Sequence, residues 1–220
     1  MSVSGLFLVL FLLFHMSMNL AAVFSTEAYN AICEFLGANW YALAGTLILA
    51  AGVVVHLVYA TVLTLHNRSS RGSQRYAMTA EPEGVTRASR NMYVHGIIIV
   101  LGLLLHLYNF WYNMQFAEII GNHELGPFPP ADGAAYIAAL FSSPVYCIIY
   151  LVWFAAIWFH LTHGFWSAFH TIGWDNQTWL PRLKRIANVV ATIVFLCFAL
   201  VVIVFYLRSL GVCGGSCAGF

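Results

Sequence analysis

Charge is what this sequence has least of. Of its 220 residues only 8% are Asp, Glu, Lys or Arg, while 61% are hydrophobic. Average soluble domains carry about 25% charged residues. A water-soluble globule of this length could not hide so much apolar surface. That excludes a cytosolic enzyme and a disordered chain. The net charge of +1 leaves no basic face for a phosphate backbone, so no nucleic acid is expected as a partner. The composition instead defines a polytopic membrane protein.

Other absences sharpen that class. No segment alternates apolar and polar residues as a membrane β-strand would. There is no internal repeat and no low-complexity tract. No Lys or Arg precedes the first apolar run, which is also too long for a typical signal peptide, so that run is expected to be a mature helix. No HxxHH box and no pair of buried carboxylates points to a diiron site.

The gaps between charges count the spans. No Asp, Glu, Lys or Arg occurs before Glu27, or between Glu34 and Arg68, Arg90 and Glu118, Asp132 and Asp175, or Arg185 and Arg208. A helix crossing the hydrocarbon core needs roughly 20 apolar residues. Each window holds one, near 4–25, 40–65, 92–116, 143–170 and 186–208. Ser142, Ser143 and Pro144 mark the start of the fourth. The expected fold is an all-α bundle of five transmembrane helices in one domain, 1–220.

The loops orient it. Arg68, Arg71, Arg75, Arg87 and Arg90 lie between the second and third helices, and Arg182, Lys184 and Arg185 between the fourth and fifth. The other two loops carry Glu27, Glu34, Glu118, Glu124 and Asp132 instead. The positive-inside rule predicts a cytoplasmic N-terminus and an outer C-terminus. Of the cysteines, Cys147 and Cys197 fall in spans as small apolar residues, and Cys33 lies in the first outer loop without an obvious partner. Cys213 and Cys217 sit in the tail, where a disulfide is allowed on the outer side.

Nine histidines remain, and five of them (His15, His56, His106, His160 and His163) lie inside spans. Ionisable groups at membrane depth are costly and face the bundle interior. His15 and His106 are predicted to sit roughly 12–14 Å from the outer boundary, at 1.5 Å per residue. His56 and His163 are predicted roughly 15–17 Å from the inner boundary. His160, one turn from His163, competes with it. Two pairs at two depths, each from separate helices, suit bis-imidazole haem ligation. Gly52 and Gly102 each precede a histidine by four residues, and Gly164 follows His163, so all three are candidates for packing against a porphyrin. Close helix packing is the alternative for each. Arg90 and His170 are candidates for haem propionates, on charge and depth. Glu27 and Glu34 are candidates for proton transfer at an outer quinone site, since quinol oxidation releases protons; their alternative is loop solubility.

The order of these motifs resembles a known family. The pieces are Ser4-Gly5-Leu6 leading to His15-Met16, then His56, Asn67-Arg68…Arg71-Gly72, Gly96…His106-Leu107-Tyr108, and His160-Leu-Thr-His163-Gly-Phe-Trp-Ser-Ala-Phe169, with Pro181, Lys184 and Arg185 before the last helix. They are similar to the five-helix, dihaem cytochrome b subunit of succinate:quinone oxidoreductases and quinol:fumarate reductases. The resemblance runs over essentially the whole chain. It implies two b haems, a distal one on His15 and His106 and a proximal one on His56 and His163. It also implies an iron–sulfur subunit and a flavoprotein on the cytoplasmic face, with menaquinone reacting near the distal haem. The setting it implies is the cytoplasmic (inner) membrane, with dimerisation of the complex left open. Two rivals stay: a bis-His cytochrome of a hydrogenase or formate dehydrogenase, and a non-haem transporter.

Overall fold

The computed structural model describes residues 1–37, 39–70, 91–174 and 176–212. Arg71, Gly72, Arg75, Arg87, Arg90, Cys213 and Cys217 lie outside the described residues. Seven helices form the described chain: α1 (Ser2–Phe24), α2 (Thr26–Phe35), α3 (Trp40–Ser70), α4 (Met92–Ile119), α5 (Gly133–Phe141), α6 (Pro144–Thr171) and α7 (Trp179–Ser209). Five of them, α1, α3, α4, α6 and α7, are long and apolar enough to cross a membrane. They run alternately up and down. One end of the bundle carries Glu27, Glu34, Glu118, Glu124 and Asp132 and is here the acidic end. The other carries Arg182, Lys184 and Arg185 and is the basic end.

Local chemistry sets the boundaries. Ser25 breaks α1 in an extended conformation, and its hydroxyl accepts the Ala28 amide at 3.1 Å to cap α2. Pro144 opens α6, where its missing N–H costs nothing. Gly173, at φ +102, ends α6 in a conformation that L side chains rarely adopt. Arg208 donates to the Val23 carbonyl at 2.8 Å, pairing an end carbonyl of α1 across the bundle.

Charge-free windows could not show α2 and α5. Both are short and pack on each other at the acidic end. Asn30 bridges them: its amide donates to Asp132 at 2.7 Å, and its oxygen accepts the Ala134 amide at 2.9 Å. Asp132 also caps α5 by accepting the Ala135 amide at 3.2 Å. Asn30→Leu leaves the Ala134 amide without its acceptor and removes one of the two hydrogen bonds to Asp132. It is expected to lower stability by about 1–3 kcal/mol, read as an earlier thermal transition in detergent.

The packing is uneven. α6 and α7 form the tightest pair, α1 lies against both, and α4 lies against α6. Tyr150, Val202 and Phe205 are almost fully buried there. By contrast, α3 packs along α1 and has no comparably extensive contact with any other element. Side chains also reach across to it, as where Thr46 donates to Gln115 at 2.8 Å. Directly after His106, residues Leu107–Phe116 of α4 wind as a π-helix, a geometry often found beside functional sites.

Candidate haem-binding site

Four helices bring histidines into two pairs. His15 on α1 faces His106 on α4, with ring centroids 5.8 Å apart. His56 on α3 faces His160 on α6, with centroids 6.3 Å apart. All four side chains are half-buried. The first pair lies toward the acidic end and the second toward the basic end.

The first pair sits in an aromatic shell. Phe11 stacks on His15 at 5.4 Å, and Phe198 lies 6.0 Å from it. Phe110 and Trp153 flank His106 at 5.1 and 5.6 Å. Asn19, one turn after His15, holds its amide nitrogen 3.3 Å from the ring, and Tyr29 on α2 donates to the Asn19 oxygen at 3.1 Å. Such partners fix ring orientation. Nothing in the sequence pattern singled out Asn19 or Tyr29.

The second pair draws on α6. The ring beside His56 is that of His160. His163 turns instead to the edge of Trp166, at 4.9 Å and 84°. Ser4 holds the His56 Nδ1 at 3.3 Å. A Cβ on Gly5 would touch His56 at 3.6 Å, so the start of α1 packs on that ring.

The three glycines have different neighbours. A Cβ at Gly52 would come within 2.7 Å of the Phe7 ring, and one at Gly102 would overlap the Trp153 indole. Both therefore permit close aromatic packing, the alternative weighed above. A Cβ at Gly164 would meet His160 and Met92 at an ordinary 3.8 Å. His170 is exposed, with its ring 6.3 Å from Trp166.

These residues fit haem on several grounds. A metal–imidazole bond is about 2 Å, so two rings on opposite sides of one metal have centroids about 6 Å apart. Both pairs have that spacing. Among the described residues no three His, Cys, Asp or Glu side chains converge on a metal-sized point. The Nδ1 atoms of His106 and His160 are buried without partners, although buried polar atoms are nearly always paired. The stand-off of α3 keeps the His56–His160 site from being closed by helix packing.

At the acidic end, a cleft is lined by Glu27, Asn30, Ala31, Glu34, Pro129, Ala131 and Asp132. Backbone hydrogen bonding, and then the Ser25 hydroxyl at 2.8 Å, hold the Glu27 carboxyl below its ordinary range. Glu34 is exposed on the same face of α2. Cys33 points to Gly133 and Tyr29, and burial pushes its thiol up to about 11, so it stays protonated and unreactive.

No family model, curated protein or solved structure matches this chain. The class that the fold defines is a helical membrane protein, and its function has to be argued from its own residues.

Proposed function

We propose that this chain is a membrane cytochrome b, the quinone-reactive anchor subunit of a succinate:quinone oxidoreductase or quinol:fumarate reductase. The observation that carries the proposal is the pair of imidazole pairs, on four helices at two levels. His15 and His106 hold one haem, and His56 and His160 the other, with His160 in place of the His163 expected from sequence. Bound there, the two haems supply a one-electron path between the two membrane faces.

The chain's own residues do the rest. Asn19 and Ser4 orient His15 and His56. Phe11, Phe110, Trp153 and Phe198 exclude water from the acidic-side pair. The basic end faces the cytoplasm by the positive-inside rule and meets the iron–sulfur subunit, which pairs with the flavoprotein. The quinone, menaquinone in this reading, reacts at the acidic end. There the cleft on α2 offers carboxylates to take up protons. Glu27 is held ionised by its own helix turn, and Glu34, exposed on the same face of α2, is the proton acceptor in this reading. Glu34→Gln is expected to slow quinol oxidation at least 100-fold, within the range of general-base losses, and to leave the haem spectrum intact. Glu27→Gln has a smaller effect. Normal turnover in the Glu34 variant would remove that assignment.

Purification from native membranes tests the reading as a whole. Co-purification of a flavoprotein and an iron–sulfur protein, with haem reduced by succinate or by menaquinol, is the expected result. Haem with hydrogenase or formate dehydrogenase subunits would keep the ligands and move the enzyme.

A further inference from the structure

Two more buried imidazole nitrogens lack a partner, the Nδ1 atoms of His95 and His163. An unpaired buried polar atom costs about 1–3 kcal/mol, so each calls for an explanation. Neither residue belongs to the two facing pairs. Both lie beside His160: a Cβ on Gly164, next to His163 on α6, would sit 3.8 Å from the His160 ring and 3.8 Å from Met92, three residues before His95 on α4. His95 is fixed by stacking on Phe159, at 5.4 Å and 12°. His163 meets the edge of Trp166, and the Lys184 ammonium lies 4.7 Å over the same indole. Two N–H donors and a cation on the basic side of one imidazole pair make a place for an anion.

We infer that His95, His163 and Lys184 bind the acid side chains of the haem held by His56 and His160. The inference rests on the cytochrome reading above. It gives His163 a task as a donor to carboxylate rather than to iron. Trp166 serves as the platform that sets His163 and Lys184 side by side. His95 closes the rim from the facing helix. A positive charge and donors beside the carboxylates favour the electron added on reduction, so their loss makes that haem harder to reduce.

The test is a redox titration of the complex purified from native membranes, carrying His163→Leu, Lys184→Met or both. The expected result is two haems per chain, with the potential of the basic-side haem lowered and the other unchanged. The double variant is expected to shift the reduction equilibrium roughly tenfold, about 59 mV for one electron. Lys184→Arg restores it. A His15→Ala background, left with the basic-side haem alone, assigns the signal. Unchanged potentials in both single variants and the double variant would overturn the inference. So would unchanged potentials with loss of co-purifying anionic phospholipid, which would make the rim a headgroup site. Loss of a haem from His163→Leu but not from His160→Leu would also overturn it, by making His163 the ligand. A wild-type protein without haem contradicts the cytochrome reading itself, and so is told apart from these failures.

Discussion

His160→Ala is expected to halve the haem content, from two per chain to one, while His163→Ala keeps both. The two residues are three apart on one helix, so composition and depth treat them almost alike. Their surroundings separate them. The His160 ring lies 6.3 Å from that of His56. His163 is turned to Trp166. His56→Ala should match His160→Ala, and the two together should lose no more than one haem. Haem extraction and quantitation on the purified variants decides this. One haem in His163→Ala, beside two in His160→Ala, would restore the assignment expected from sequence.

Gly102→Val is expected to be the most damaging single change outside the histidines. Any Cβ at that position enters the Trp153 indole. The indole cannot easily leave: its N–H donates to the Ile99 carbonyl at 3.0 Å, and it packs at 5.6 Å against His106, Tyr150 and Phe154 alike. Overpacking of this kind costs typically about 1–3 kcal/mol. Here it also displaces the wall beside His106. The variant should unfold at a lower temperature and lose the acidic-side haem first, while the His56–His160 haem persists. Gly45→Val is the control, because nothing lies within 4 Å of its added Cβ. Equal stability and equal haem content in the two variants would contradict this account of the α4–α6 contact.

How far the sequence could be read follows from which signals are local. The long helices were legible because a charge inside the bilayer is expensive, so charge-free windows mark them. The short helices α2 and α5 were not: α2 lies in a charged segment where that signal is silent, and α5 shares the charge-free window between Asp132 and Asp175 with α6, so one window held two helices. A finer reading could have found α2: Ser25 with Glu27 close behind, ahead of Tyr29, Ile32 and Cys33, has the form of a helix start followed by one apolar face. The π-helical stretch after His106 has no sequence signature at all.

The histidines show the same division. Depth could be counted along each helix, and it proposed two levels. Which of two residues on α6 faces α3 depends on rotation of one helix against another, and depth carries no information on that. One sequence clue did bear on it. Gly52 and Gly102 each lie four residues from a histidine, and on α6 the glycine at that interval, Gly164, lies four from His160 and one from His163. Inner depth and adjacency to Gly164 in sequence favoured His163, but on a helix residues one turn apart share a face.

The most direct test of the account is a pyridine haemochrome spectrum of the wild-type chain purified from its native membranes, with protein quantified in the same sample. The account predicts a b-type spectrum and two haems per chain. A preparation that is folded and helical but holds no haem would contradict it, and would return the buried histidines to a role in proton movement or packing.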